Sequence, residues 1–282
     1  MFNPVSIIAS ELSDNLVETY RECYGGWKPG YGELLASGAK LVMERLGNSN
    51  ALYHNVEHTL MVTLCGQQIM RGRLLSGNVE PEDWLHFITA LLVHDIGYLR
   101  GICSGDTEDS FVIGEDGENV SPRRGASDAF LTPYHVERGK IYVRERFSGS
   151  KFIDGERLAD MIEMTRFPIP QGPEYQAIDS EGALVRAADL IGQMGDPFYH
   201  RKSNALFAEF VESGTAASLT YETPADLTDK YPEFFWTHVE PFIGPAVDYL
   251  RLTTDGKTWI ANMQSNIFQA ENGTHHIGPY PG

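Results

Sequence analysis

The chain has 282 residues and carries 39 acidic against 22 basic side chains, a net charge of −17. A field of that sign repels polyanions, so nucleic-acid polymers and anionic membranes are excluded as favoured partners, while a small phosphorylated molecule is admissible where a metal ion inverts the local sign. Three widely spaced cysteines make no disulfide framework, no basic segment precedes the first apolar residues and no apolar run reaches membrane-spanning length, so a cytoplasmic protein is expected.

Taken in chain order, apolar residues recur at helical spacing over 5–24, 31–46, 55–75, 81–94, 135–147, 154–165, 180–194, 197–213, 224–252 with breaks near Pro232 and Pro241, and 256–270. Alternating strand patterns are scarce, which predicts an all-α fold. Pro81-Glu82-Asp83 is a helix start, with proline in the first turn and acids that complement the dipole. The glycine-rich stretch 25–32 reads as a turn, because Lys28 is followed by Pro29 rather than by the Ser or Thr of a phosphate loop. Between the fourth and fifth helices, residues 100–126 are polar, acidic and glycine-rich, a loop long enough to act as a substrate lid whose acids could touch a second cation, or to be a solvated excursion. A single domain over 1–282 is expected, with its core at about 40–200, packing helices at 1–39 and 201–270, and a flexible tail at 271–282 that includes His275-His276. Nothing in the pattern decides between a monomer and a homo-oligomer.

Chemistry concentrates in two short runs. In Tyr53-His54-Asn55-Val56-Glu57-His58, the two histidines are four residues apart, about 40° around a helix axis, so both rings can share one face. In Leu91-Leu92-Val93-His94-Asp95-Ile96-Gly97, a His-Asp pair closes an almost wholly apolar helix. A carboxylate there is costly unless it is paired or bound to metal. Consecutive residues lie roughly 100° apart on a helix, so His94 and Asp95 reach one ion only if the helix end is wrapped by its neighbours. Taken separately, each run is equally compatible with a surface histidine pair or a hydrogen-bonded core dyad.

Together, the runs resemble the H…HD…D signature of the HD superfamily of metal-dependent phosphohydrolases, and Tyr53 to His58 resembles the Y-H-N-x-x-H motif of class I cyclic-nucleotide phosphodiesterases. Ala188-Asp189-Leu190 resembles the segment holding the last metal aspartate, and Met164-Thr165 the threonine-bearing helix end. The likeness covers about residues 40–200 and implies an HD-type helical bundle with additional N- and C-terminal helices. It implies His58, His94, Asp95 and Asp189 as ligands of one ion, Asp95 bridging to a second, and His54 donating a proton to the leaving oxygen. Glu57, three residues on, is a carboxylate that could raise the His54 pKa, or a solvent-facing helix residue. Two positions depart from those phosphodiesterases: Tyr98 stands where they have a further histidine, and Thr165-Arg166 where they have Thr-Asp. His135 falls where several HD branches place another histidine, for a second metal or a substrate phosphate, or it hydrogen-bonds locally.

On a helical wheel Asp189 leans toward Arg186, so an i, i+3 ion pair is the alternative to ligation. Arg123, Arg124, Lys140, Arg166 and Arg186 are candidate phosphate contacts or plain surface cations. Nitrogen and oxygen ligands suit Zn, Fe, Mn, Ni or Co at the first site, and a carboxylate-rich second site suits Mg or Mn, giving one or two divalent ions. The resemblance therefore implies hydrolysis of a small phosphate ester, a phosphodiester such as a cyclic nucleotide ahead of a monoester. An HD-type di-iron oxygenase and a non-catalytic ligand-binding HD module stay open as rivals.

Overall fold

In a computed structural model of the chain, which describes residues 3–273, helix α1 (Pro4–Tyr24) begins where Asn3 accepts the amide N–H of Val5 and proline occupies the first turn. A short turn leads into α2 (Gly30–Leu46), and the two helices pack along one another as an outer hairpin. The inner layer is α3 (Val56–Ser76), α4 (Pro81–Val93) and α7 (Glu181–Met194). Every residue of α4 from Trp84 to Val93 is buried, as its apolar composition on all sides demands. Helix α3 runs along α7, and α12 (Glu240–Leu250) covers both. At the junction of α3 and α7 a side chain at Gly192 would come within 2.9 Å of the Val62 backbone, so the glycine sets how closely those two helices approach.

Helices α5 (His135–Phe147) and α6 (Gly155–Glu163) form a second pair against α4, and α5 also packs on the 3-10 turn Ile96–Tyr98 that follows α4. The C-terminal third continues through α8 (Tyr199–Ser213), the one-turn α9 (Thr215–Ser218), α10 (Pro224–Asp229), α11 (Tyr231–Phe234), a π-helical turn at Phe235–Val239, α12 and α13 (Thr254–Glu271). One apolar core runs from Ala9 in α1 to Ile267 in α13. The only strands among the described residues are β1 (Phe111–Val112) and β2 (Asn119–Val120), antiparallel with Phe111 opposite Val120. The fold is all-α. No helix of the described residues is long and apolar enough to cross a membrane.

The stretch 224–252 breaks near its prolines as expected: Pro232 and Pro241 each lie in the first turn of a new helix, where a missing N–H costs nothing. Residues Asp128–Tyr134, ahead of α5, wind as a 3-10 helix that the periodicity did not indicate.

The loop 100–126 is fastened at its base and lines no part of the pocket that His54 and Asp95 line. Asp106 accepts the amide N–H groups of Ile102 (3.1 Å) and Val112 (2.9 Å) and a bidentate contact from the buried Arg138 of α5 (2.8 and 3.0 Å). Arg138 also donates to the carbonyls of Gly97 (2.9 Å) and Leu99 (2.7 Å), so the loop is fastened to the turn after α4. Its remaining acids, Glu108, Asp109, Glu115, Asp116 and Glu118, are exposed. Positions 274–282, with His275 and His276, lie outside the described residues.

Candidate metal centre

The site begins at the N-terminus of α3. Asn55 caps that helix, its side-chain oxygen accepting the N–H groups of Glu57 (2.9 Å) and His58 (3.4 Å). His54 therefore precedes the helix instead of sharing its face, yet its ring centre is still 5.3 Å from that of His58. At the other motif, α4 ends at Val93; His94 keeps helical angles while Asp95 turns to φ −100°, ψ 7° before the tighter Ile96–Tyr98 turn. That change of winding lets two neighbouring side chains, which a straight helix would splay, face one centre.

Gly97 makes the close packing possible. A Cβ on it would lie 1.8 Å from the carbonyl oxygen of His135 and 2.9 Å from the amide of Gly139, both backbone atoms of α5. Gly97→Ala is expected to push α5 outward, costing about 2–4 kcal/mol of stability and about 5–10 °C in melting temperature. Thermal unfolding measures it, and an unchanged melting temperature would contradict the contact.

Four candidate ligands, two histidines and two aspartates, converge. The Nε2 atoms of His58 and His94 are 3.4 Å apart; Asp95 Oδ2 is 3.3 Å from the first and 3.2 Å from the second, and Asp189 Oδ1 is 3.3 and 3.7 Å from them. Ligands bound tetrahedrally at about 2.0–2.2 Å from one ion are about 3.3–3.6 Å from each other, so the spacing is that of a coordination shell. His94 Nδ1 lies 2.8 Å from the Leu91 carbonyl. A carbonyl only accepts, so Nδ1 carries the proton and the Nε2 lone pair faces the centre. Asp95 Oδ2 is buried and has no hydrogen-bond donor among the described residues, an orphan that a cation would satisfy. Two overlapping sets, His54/His58/Asp95 and His58/His94/Asp189, could each hold a metal ion.

Asp189 thus faces the imidazoles. Arg186, one turn earlier, does not pair with it, but donates to the carbonyls of Tyr175 and Ala177, both at 2.7 Å.

Burial alone would lower His58, but the facing carboxylates of Asp189 and Asp95 outweigh it and push the imidazole up to about 10. His94 is raised against the same burial penalty, chiefly by Asp95. Asp95 lies well below the usual carboxylate range even though burial opposes this, because His94 and His58 stabilise its charge. Protons and a divalent ion therefore compete for the same nitrogens. Because His58 keeps its proton until about pH 10, metal affinity should rise with pH through neutrality, with protons released on binding. Titration calorimetry in buffers of different ionisation enthalpy checks this: a heat independent of buffer would show that no proton leaves.

Around this centre stand three rings in a stack. Tyr98 lies between His54 and His135, 4.7 Å from each ring centre, with interplanar angles of 10° and 27°. The tyrosine thus occupies the space between the two flanking histidines, and burial raises its phenol well above its ordinary range, so it stays neutral. His135 Nε2 is 3.9 Å from Asp95 Oδ1, the oxygen turned away from His58 and His94, while its Nδ1 lies 2.6 Å from the Thr132 carbonyl. Burial lowers the imidazole of His135.

The partner of His54 is Glu209 of α8, whose Oε2 is 2.5 Å from His54 Nδ1 and whose Oε1 accepts the amide N–H of Tyr53 at 2.7 Å. Glu209 is buried, and contact with His54 lowers its carboxyl although burial opposes this. Glu57, expected in that role, points outward and pairs with Lys202 at 2.7 Å. The available signal for Glu209 was an acid set inside Ala205-Leu206-Phe207-Ala208 and Phe210-Val211, on the buried side of an amphipathic helix.

His54, Asp95, Tyr98, His135, Thr165, Arg166, Arg186 and Asp189 all line one pocket. Thr165 is buried with its hydroxyl donating to the Ile162 carbonyl at 2.8 Å. Arg166 lines the pocket but is committed to Glu163 and Glu137, each at 2.5 Å, and Lys140 is paired with Glu163 at 2.7 Å. Arg123 and Arg124 are exposed and line no part of it. Of the five candidate phosphate contacts, Arg186 alone lines the pocket without a carboxylate partner among the described residues.

The fold and the site define an all-helical protein with histidine and aspartate groups able to hold a metal ion. The chain belongs to the Npun_R2479-like family, whose model matches residues 2–273. No curated protein matches the chain.

Proposed function

We propose that the protein is an HD-type, metal-dependent phosphohydrolase that cleaves a small phosphate ester, a phosphodiester such as a cyclic nucleotide ahead of a monoester. The observation that carries this reading is the 3.2–3.7 Å convergence of His58, His94, Asp95 and Asp189 at one end of a pocket that His54 also lines. A divalent ion bound there supplies Lewis acidity, bringing water toward ionisation near neutral pH and offsetting charge on phosphoryl oxygens.

The chain's own groups do the rest. Asp95 directs Oδ2 toward His58 and His94 and Oδ1 toward His135, the arrangement a bridging carboxylate needs if two ions bind. With Nδ1 held by Glu209, His54 presents Nε2 to the pocket, where it can pass a proton to the departing oxygen. Glu209 fixes the tautomer and orientation of that ring and receives it back in the same pose after each transfer. The Tyr98 ring, stacked on His54, restricts its swing and keeps water from its face.

Elemental analysis of the purified protein, combined with a screen of cyclic nucleotides, nucleoside monophosphates and small phosphate esters, tests the proposal. Divalent metal together with metal-dependent release of phosphate or of a phosphomonoester supports it. An iron pair with a visible absorption band and no hydrolysis points instead to an oxygenase. Metal and ligand binding with no turnover points to a binding module.

A further inference from the structure

Beyond the ligand cluster, the pocket changes character. Its far wall is built by Phe167 and Ile169 after α6, Phe210 at the end of α8, Leu219 and Tyr221 after α9, and Phe234 of α11, all half-buried. Phe167 and Phe234 meet edge to face at 5.8 Å between ring centres. A phosphoryl group with a small polar substituent, held at the ligand cluster, would leave this apolar wall without an apolar partner.

The pocket lining also holds a cation without a carboxylate partner among the described residues. Arg186 is 2 % exposed, its terminal nitrogens donate to two carbonyls, its face lies 4.4 Å from the centre of the Phe242 ring, and its Nε has no acceptor among the described residues. A buried charge in this condition is costly, and an anion entering the pocket beside it removes part of that cost. It also answers the electrostatic problem of a chain of net charge −17 that must attract an anion: Asp95 and Asp189 cancel the charge of one divalent ion, so Arg186 is the pocket's surplus positive charge.

Resting on the phosphohydrolase reading, we infer that the substrate is an aromatic phosphate ester, its single anionic head held between the metal group and Arg186 and its planar apolar group lodged among Phe167, Phe210, Tyr221 and Phe234. Such rings gain from offset and edge-on contacts with the aromatic wall, and they need fewer hydrogen-bond partners than a nucleoside.

Phosphonates, which resist hydrolysis, test this by binding alone. Titrating the manganese-loaded full chain with methylphosphonate, benzylphosphonate and the 5′-methylene phosphonate analogue of adenosine 5′-monophosphate should give benzylphosphonate at least a tenfold tighter dissociation constant than either of the others. Phe234→Ala should erase that advantage and leave methylphosphonate binding unchanged. Arg186→Gln should weaken both phosphonates by the same factor; where that variant fails to fold, Phe210→Ser repeats the test on the apolar wall alone. Equal binding of methyl- and benzylphosphonate, or tightest binding of the nucleotide analogue, overturns the inference and leaves the phosphohydrolase reading in place. Binding of none of the three to the metal-loaded protein removes both.

Discussion

Asp95→Ala is expected to yield a folded protein that has lost metal and shows no measurable hydrolysis. One oxygen of this carboxylate is within 3.3 Å of both histidine nitrogens, the other faces His135, and the group is buried. Its removal leaves two buried imidazoles with Asp189 as their only carboxylate, so the charge that offsets a dication is halved in a place where water cannot compensate. Elemental analysis should show metal content falling to about a tenth or less of wild type, and turnover falling by about 10⁴-fold or more. Asp95→Asn, which keeps the shape and discards the charge, should behave alike, because an amide is a far weaker ligand than a carboxylate. A variant that keeps its full metal complement would show that Asp95 is a core hydrogen-bonding residue only.

His54→Ala is expected to separate catalysis from ligation. The ring is held by Glu209 through Nδ1 and lies beside the cluster, so its loss should lower kcat by about 10²–10³-fold while metal content stays within error of wild type. Leaving-group chemistry sharpens the test. An ester of p-nitrophenol departs as a stable phenolate and needs no proton, so it should lose much less activity in this variant than an alkyl ester does. Glu209→Gln should fall between the two proteins, since the ring stays in position but the carboxylate that stabilises its protonated form is gone. If His54→Ala also loses metal, His54 belongs to the His54/His58/Asp95 set as a ligand and the division of roles is wrong.

What could be read from the sequence follows the range of the interactions. The helices of the core announce themselves because burial imposes a periodicity on every residue of a stretch, most completely in α4. Of the candidate ligands, His94 and Asp95 are legible for a local reason, a polar pair closing an apolar run, and His58 through its spacing from His54 and the motif it completes. Asp189 is less so. Its wheel position favoured a pair with Arg186, and what decides against it is tertiary: Arg186 is drawn to the carbonyls of Tyr175 and Ala177, which no periodicity reveals.

The same limit explains the exchange of Glu57 for Glu209. Glu57 is three residues from His54 and Glu209 is 155 away, on a helix read as outer packing, yet the near one points to solvent. The acidic loop's composition admitted either a lid or a solvated excursion; its exposed acids fit the second, and one buried ion pair between Asp106 and Arg138 holds its base against the turn that carries Gly97.

That fastening separates two parts of the chain that are adjacent in sequence. Arg138 links the Gly97 and Leu99 carbonyls to Asp106 and to the Val112 carbonyl, so within the loop the ties to the turn beyond Asp95 end at position 112 and the remainder come from α5. The hairpin tip from 113 to 118 lies outside this knot, with Asp116 and Glu118 exposed and Glu115 paired with Arg144 of α5. Lengthening that tip, or attaching a fluorophore there, is expected to leave the position of the Asp95 carboxylate unchanged.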